Sequence, residues 1–233
     1  MERLGNAIES AVTIPVSFVA EMIRIFPDGI VMGMGFFAAL TASFPYGIFF
    51  LSLVESLGIF HGLRLLDTYL NISTAMQTKT AYTTKCISGF MSNTIQTLSL
   101  FGSGNQSAFP SAPIYIVSMA SSYIMSILFR FSKELEVLGP NFSSRFYLAA
   151  ISLPLFILSF VLFRLYFGCD DFGVLLTSIF IGGLIGVTLV EQNYRIFGLS
   201  SLNLIGIPFI KSRTADGKKL YVCPSQKGIP SSA

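Results

Sequence analysis

Long runs without any charged residue are the feature that most constrains this chain. No Asp, Glu, Lys or Arg occurs between residues 29 and 54 or between residues 86 and 129, and shorter uncharged runs cover residues 146–163 and 172–190. A helix needs about 20 apolar residues to cross a hydrocarbon layer of about 30 Å. Each run is therefore long enough, or nearly long enough, for a membrane-spanning helix.

The overall composition agrees with a membrane location. Hydrophobic residues make up 52% and charged residues 12% of the 233 residues, whereas a soluble domain has roughly 25% charged residues. A soluble protein with buried core helices is excluded, because helices without a polar face need cover on every side and too little chain remains to supply it. We therefore predict an all-α, polytopic integral membrane helix bundle.

The apolar runs and the turn residues between them predict about six transmembrane helices within residues 1–195. The predicted spans are residues 7–26, 29–54, 83–101, 112–129, 146–163 and 172–190. Three charged residues interrupt the first span, which either crosses the membrane or lies in the interface as an amphipathic helix. Pro27-Asp28 predicts a turn, because proline disfavours helix at the residue before it, and Pro45 predicts a kink in the second span.

Two segments outside these spans have predicted structure of their own. Residues 55–85 form the longest polar connection, and the helical spacing of its first half predicts a helix along the membrane surface. Residues 196–233 form a basic C-terminal tail, in which alternating stretches on both sides of Asp216-Gly217 predict a β-hairpin. Within the last span, the glycine-rich sequence at 182–186 favours close contact between helices.

The cysteines and the N-terminus predict that two common features are absent. Cys86, Cys169 and Cys223 are far apart and have no paired spacing, so they predict neither a disulfide framework nor a metal cluster. No signal peptide is apparent, because the N-terminus begins with charged residues and no small-residue cleavage site precedes Pro27. The first helix would then act as an uncleaved signal.

The distribution of basic residues predicts how the chain is oriented. With six spans, the N-terminus, residues 55–85, residues 130–145 and the tail lie on one side. All 15 Lys and Arg residues except Arg24 and Arg164 then lie on that side. Basic loops stay in the cytoplasm, so both termini are expected there, and the 102–111 and 164–171 loops face the opposite compartment. An interfacial first helix would change the side of the N-terminus only.

The two loops on the non-cytoplasmic side carry short motifs that resemble a known family. Residues 107–113 read SAFPSAP and lead into a span, and residues 163–170 read FRLYFGCD and connect the last two spans. Together they resemble the type 2 phosphatidic acid phosphatase superfamily of membrane lipid phosphatases, whose motifs are K-x6-R-P, P-S-G-H and S-R-x5-H-x3-D. The resemblance covers roughly residues 83–190. The positions that carry it are Phe109, Pro110, Ser111, Arg164, Tyr166 and Gly168.

The chain lacks the residues on which catalysis in that superfamily depends. Pro113 stands at the histidine position of P-S-G-H, and Asp170 stands at the position of the nucleophilic histidine. The aspartate that would orient the nucleophile falls on Val174 or, with a one-residue gap, on Gly173. Only Arg164 remains of the phosphate-binding cations, and phosphoryl transfer needs several such cations and a poised nucleophile. The resemblance therefore implies a degenerate member without catalytic residues, and no cofactor is expected.

A few charged residues remain as alternative site candidates. Asp170 and Asp171 form either half of a metal or ion site, or a solvated pair or a partner for Arg164; no third ligand is apparent, so no metal site is predicted. His61 is the only histidine, and we expect an ordinary interfacial residue on the side opposite these loops. The charges near span ends, which either mark an ion path or extend to the interface, are Glu21, Arg24 and Glu55.

These observations favour a non-catalytic structural multi-pass membrane protein that is a subunit of a larger assembly, in an organelle complex or the internal membrane of a virus particle. Expected partners are membrane lipids and other protein subunits, and no nucleic acid. The first alternative is a divergent membrane enzyme or lipid-handling protein that acts on phosphorylated lipids through Asp170 or Asp171. The second is a small transporter. The basic tail binds anionic lipid headgroups or an acidic protein, or is simply solvated.

Overall fold

The computed structural model describes residues 2–71, 86, 90–92, 95–98, 100–101, 109–132, 140–204, 210–213 and 219–221. Five long helices dominate this part of the chain. They are α1 (Glu2–Thr41), α2 (Phe44–Leu70), α3 (Ala112–Arg130), α4 (Pro140–Tyr166) and α5 (Phe172–Phe197). Short elements accompany them: the strands β1 (Phe90–Ser92), β2 (Ile95–Leu98), β3 (Ile210–Arg213) and β4 (Lys219–Tyr221), and a 3₁₀ helix, Leu199–Leu202.

Five helices in the described residues are long and apolar enough to cross a membrane, as an integral multi-pass membrane protein requires. The candidate spans are Glu21–Thr41, Phe44–Leu70, Ala112–Arg130, Phe146–Tyr166 and Phe172–Phe197. The prediction of a helical chain with several membrane-length helices is confirmed, whereas the described residues contain five candidate spans and not the six or so predicted. The last three spans coincide with the predicted residues 112–129, 146–163 and 172–190.

The break between the first two long helices lies at a different place from the one predicted. Helix α1 runs for 40 residues and continues through Pro27, so the turn predicted at Pro27-Asp28 is wrong. The chain instead breaks at Ala42, which has a left-handed φ of 46°, and Ser43, which is extended. Pro45 lies in the first turn of α2, where its missing N–H has no helical partner to lose. It therefore starts a helix and does not kink one.

The third predicted span, residues 83–101, is not α-helical where the structure describes it. Strands β1 and β2 pair in antiparallel orientation, with Phe90 opposite Leu98 and Ser92 opposite Ile95. Ser, Thr and Asn side chains in general compete for backbone hydrogen bonds and favour turns over helix interiors, so their abundance in an uncharged segment does not by itself predict a packed helix. In the tail, β3 and β4 are likewise antiparallel, with Arg213 opposite Lys219.

Helix α3 forms the centre of the bundle and packs most closely against α5. Large side chains that are fully buried along α3 include Tyr115, Met119 and Tyr123. At Gly182 of α5, an added Cβ would lie 2.5 Å from the carbonyl oxygen of Tyr115, and at Gly186 it would lie 2.4 Å from that of Met119. Only glycine permits this separation of the two backbones, as the glycine-rich sequence at 182–186 indicates.

Contacts at the two ends of the bundle establish the direction of each helix. At one end, which we call the Arg164 end, Phe60 of α2 packs on Tyr115 in the first turn of α3, with ring centroids 5.3 Å apart. At the other, the Phe197 end, Phe44 at the start of α2 packs on Phe197, with ring centroids 6.0 Å apart. Helix α2 therefore runs from the Phe197 end to the Arg164 end.

Helix α1 runs in the opposite direction to α2. Asp28 accepts a hydrogen bond from the backbone N–H of Leu100 at 2.6 Å, and Leu100 in turn accepts one from His61 near the end of α2. Later in α1, Phe37 packs on Tyr46 near the start of α2, with ring centroids 4.8 Å apart. Residue 28 therefore lies toward the Arg164 end and residue 37 toward the Phe197 end.

The direction of α2 changes the expected position of residues 55–71. They were expected as a surface segment on the side opposite the 102–111 and 164–171 loops. They instead continue α2, whose 27 residues extend about 40 Å at about 1.5 Å per residue. Because α2 begins at Phe44 and not at residue 29, its C-terminal half reaches the Arg164 end. His61 therefore lies at the same end as Arg164.

Candidate functional site

Three buried polar side chains meet at the Arg164 end of the bundle. Asp170 accepts hydrogen bonds through the same oxygen, Oδ2, from Nε of Arg164 and from Oγ of Ser111 at 2.6 Å. The exposed fractions are 2% for Ser111, 7% for Arg164 and 4% for Asp170. Arg164 and Asp170 form a buried ion pair, and the serine hydroxyl adds a second bond to the carboxylate. We call these three residues the Ser-Arg-Asp cluster.

The start of α3 places Ser111 in the cluster. Ser111 precedes the helix in an extended conformation, and its side chain makes no capping bond to the helix because the hydroxyl is directed to Asp170. Its backbone N–H donates to Oγ of Ser178 on α5 at 2.9 Å. Ser178 Oγ in turn donates to the carbonyl of Val174 at 2.6 Å. Both the backbone and the side chain of Ser111 are therefore held by α5 and the turn before it.

A tight turn between α4 and α5 brings Asp170 back onto Arg164. Arg164 lies in the last turn of α4, and its carbonyl accepts a hydrogen bond from the N–H of Cys169 at 2.8 Å. Gly168 adopts a left-handed φ of 63°, which glycine reaches without the steric cost of a Cβ. This turn reverses the chain within six residues, so that an arginine and an aspartate close in sequence become an ion pair.

A disulfide bond joins the turn to a distant part of the chain. Cys86 and Cys169 are bonded, with their Cα atoms 5.2 Å apart and 83 residues apart in sequence. The carbonyl of Cys86 accepts a hydrogen bond from Nη1 of Arg164 at 3.4 Å. The expectation that the cysteines form no disulfide is therefore wrong. Sequence spacing could not reveal the pair, because the fold alone brings two separated segments together.

The structure gathers most of the motif positions at this end, with one exception. Phe109, Pro110 and Ser111 are buried beside α3, and Arg164 and Gly168 form the α4–α5 turn. Tyr166, by contrast, is 82% exposed. The two loops that carry the resemblance are therefore neighbours in space, but Tyr166 does not belong to the cluster.

The two alternative site candidates have different surroundings. Asp170 is the partner of Arg164, one of the roles expected for it, and its burial excludes the solvated pair. Asp171 lies directly before α5, where its carbonyl accepts the N–H of Leu175 at 3.1 Å. Among the residues that the structure describes, no group of three or more His, Cys, Asp or Glu side chains is arranged to hold a metal ion.

The chemistry of the cluster is that of a closed, neutral group. The guanidinium charge of Arg164 is matched by the carboxylate of Asp170, and Ser111 donates its proton to the same carboxylate. His61 lies at the same end, but its Nε2 is bonded to the carbonyl of Leu100 at 2.9 Å and its side chain is exposed. Such an arrangement connects the start of α3 with the turn between α4 and α5. The charge of Arg164 is already paired and is therefore not available to bind a phosphate.

The charges expected near span ends pair locally, but Glu55 lies well inside α2 and not at a span end. Glu21 and Arg24, one turn apart on α1, form an ion pair of 2.5 Å. Glu55 accepts hydrogen bonds from the side-chain amide of Gln192 at 3.0 and 3.1 Å. These contacts connect neighbouring turns of α1 and the helices α2 and α5.

A second buried polar group was missed by the sequence analysis. Nδ2 of Asn193 donates to Oγ of Ser52 at 2.7 Å and to the hydroxyl of Tyr123 at 3.0 Å, and so connects α5 with α2 and α3. Closer to the Arg164 end, Ser56 Oγ donates to the hydroxyl of Tyr115 at 3.1 Å. A lone asparagine near the end of an apolar helix could have indicated such a contact between helices, because a buried amide needs hydrogen-bond partners.

Comparisons with known proteins do not assign this chain to a family. Comparison with models of protein families, with curated proteins and with solved structures finds no match.

Proposed function

We propose that this chain is a non-catalytic, multi-pass membrane protein that serves as a structural subunit of a larger membrane-associated assembly. Its loops resemble those of the lipid phosphatase superfamily, but the side chains that would attack or hold phosphate are replaced. The single observation that carries the proposal is the closed Ser-Arg-Asp cluster, in which the one remaining phosphate-binding arginine is occupied by Asp170.

The energetics of the ion pair support this reading. A phosphate that entered the cluster would have to separate Arg164 from Asp170 and leave the carboxylate buried without its partner. Breaking a buried pair in this way costs about 3–5 kcal/mol. The negative charge of the phosphate would also be repelled by the released carboxylate. A site built to bind phosphorylated lipids would keep its cations available.

The outer surface of the bundle supports contact with lipids and with other subunits. Many side chains of α4 that face outward are large and apolar, among them Leu148, Ile151 and Leu155, and the exposed Ser152 and Ser159 bond to carbonyls of their own helix. Such a surface is compatible with lipid tails or with a neighbouring transmembrane helix. Asn193 bonds to Ser52 and Tyr123 inside the bundle, and such a buried contact between three helices supports a rigid scaffold.

Two measurements on protein purified in mild detergent test the proposal. Mass spectrometry of the purified material should find other membrane proteins in stoichiometric amounts. Phosphate release from phosphatidic acid and from a prenyl diphosphate should equal the background for the wild type, for Asp170→Asn and for the control Asp171→Asn. Release that the wild type supports and Asp170→Asn abolishes would establish the alternative, a divergent membrane enzyme, and would refute the structural role.

A further inference from the structure

We propose that the Arg164 end of the bundle faces an oxidising compartment and that the Phe197 end, with the C-terminal tail, faces a reducing cytoplasm. This inference rests on the membrane-spanning part of the proposed function and goes beyond it, since it assigns each end to a compartment. Two observations carry it independently: the disulfide at one end and the concentration of basic residues at the other.

The disulfide requires an oxidant on its own side of the membrane. Cys86 and Cys169 are both buried at the Arg164 end, beside the Ser-Arg-Asp cluster. Their two thiols lose two protons and two electrons when the S–S bond forms. The electrons pass to the disulfide of an oxidised thiol oxidoreductase, which becomes a dithiol through a mixed-disulfide intermediate. Such exchange leaves stable disulfides in secretory, periplasmic or extracellular spaces and rarely in the cytosol.

Basic residues are concentrated toward the opposite end. Helices α3 and α5 both end at the Phe197 end. In the sequence, residues 130–145 run from the last residue of α3 into the first turns of α4, and residues 195–233 run from the last turn of α5 through the tail. The Lys and Arg residues in these segments are Arg130, Lys133, Arg145, Arg195, Lys211, Arg213, Lys218, Lys219 and Lys227. Basic segments beside transmembrane helices remain in the cytoplasm. The charge bias therefore assigns the Phe197 end to the side that keeps thiols reduced.

The other six Lys and Arg residues of the chain are fewer, and three of them have local partners within the bundle. Arg24 pairs with Glu21, and Arg164 pairs with Asp170. Arg64 donates to the carbonyl of Phe101 at 2.6 Å. Charges that are matched within the bundle oppose transfer across a membrane less than solvated ones do. The Arg164 end can therefore face the non-cytoplasmic side despite its arginines.

The proposal separates the two termini. Helix α1 runs toward the Phe197 end, and five alternating spans finish with α5 at that same end. The N-terminal end of α1 would then lie in the oxidising compartment and the tail in the cytoplasm. This orientation differs from the sequence-based prediction, in which both termini share the cytoplasmic side. Cys223, in the tail, would remain a free thiol.

Counting thiols tests the first half of the proposal. The chain is produced in the inner membrane of bacterial spheroplasts, quenched with acid and unfolded. A polyethylene glycol maleimide, which slows the protein on a gel once per thiol, is then added. The wild type should show one gel shift without reductant and three after reduction. Cys223→Ser should show no shift without reductant and two after reduction. Three shifts in the unreduced wild type would overturn the proposal.

Labelling intact spheroplasts tests the second half. A membrane-impermeant maleimide should label Tyr166→Cys, made in the Cys223→Ser variant, because residue 166 is exposed beside the disulfide. It should label native Cys223 only after the membrane is permeabilised. Any other pattern overturns the orientation. Extraction of the same membranes with alkaline carbonate provides a separate readout: release of the chain would refute the proposed membrane protein itself, not merely its orientation.

Discussion

At the scale of single residues, two groups of buried polar side chains are hydrogen-bonded to one another. Asp170 satisfies both Arg164 and Ser111 inside the bundle, and Asn193 bridges Ser52 and Tyr123. Burying a polar group in an apolar interior without a hydrogen-bond partner costs several kcal/mol of folding free energy. Each of these side chains therefore places a strict requirement on its neighbours.

Arg164→Ala should be strongly destabilising. The substitution leaves the carboxylate of Asp170 buried without its cation, which lowers the free energy of unfolding by about 3–5 kcal/mol. Arg195→Ala is the matched control, because its side chain is 76% exposed in a pair with Glu191 on the same helix, and solvent-exposed pairs contribute little to stability. Unfolding of the purified variants in detergent measures both. Equal losses for the two variants would contradict the structural role of the buried pair.

At the scale of elements, the packing of α3 against α5 organises the bundle. The two glycines that face α3, Gly182 and Gly186, are one helical turn apart, whereas Gly183 lies on another face with nothing within 4 Å of an added Cβ. Small residues allow helix backbones to approach closely where no hydrophobic force drives apolar helices together in lipid. The same approach brings Ser178 of α5 to the backbone of Ser111, so this contact also positions the cluster.

Gly186→Ala and Gly183→Ala should therefore have opposite effects. In Gly186→Ala the new Cβ would meet Oγ of Ser122 at 2.1 Å and the carbonyl of Met119 at 2.4 Å; overpacking of this kind costs about 1–3 kcal/mol. In Gly183→Ala there is open space, and alanine favours helix over glycine by up to about 1 kcal/mol. Thermal unfolding in detergent distinguishes them. A Gly186→Ala protein as stable as the wild type would mean that α3 and α5 do not pack this closely.

At the scale of the whole molecule, one covalent bond links the segment before β1 to the turn between α4 and α5. The bond encloses α3 and α4 in a loop with a sequence separation of 83 residues. Crosslinking residues this far apart restricts the unfolded chain more than the folded one. The disulfide also keeps the carbonyl of Cys86 beside Arg164, and so connects the whole fold to the cluster.

Removal of this bond should lower the free energy of unfolding by about 2–4 kcal/mol. The double variant Cys86→Ser/Cys169→Ser should unfold at a lower temperature than the wild type, and a reductant should lower the wild-type midpoint to a similar value. The double variant itself should not respond to reductant. Cys223→Ser serves as the control and should behave as the wild type does. A reductant effect that persists in the double variant would contradict the assignment of the bond to Cys86 and Cys169.

The candidate site could be predicted from the sequence only in part. The motif residues Ser111 and Arg164 were identified from short phrases in two loops, and Asp170 was considered as a partner of the arginine. The disulfide and the Asn193 contacts were not predicted, because each joins residues that are distant in sequence. Nothing in the local composition around Cys86 indicates that Cys169 lies beside it.

The apolar character and length of the helices follow from the amino-acid sequence alone, most clearly in α3, α4 and α5. That property belongs to about 20 consecutive residues and needs no partner to be recognised. The end of α1, the end of the bundle that α2 reaches, and the pairing of residues 90–92 with residues 95–98 depend instead on the tertiary structure. These outcomes depend on contacts such as Asp28 with Leu100 and Phe60 with Tyr115, whose free energies exist only when distant segments meet.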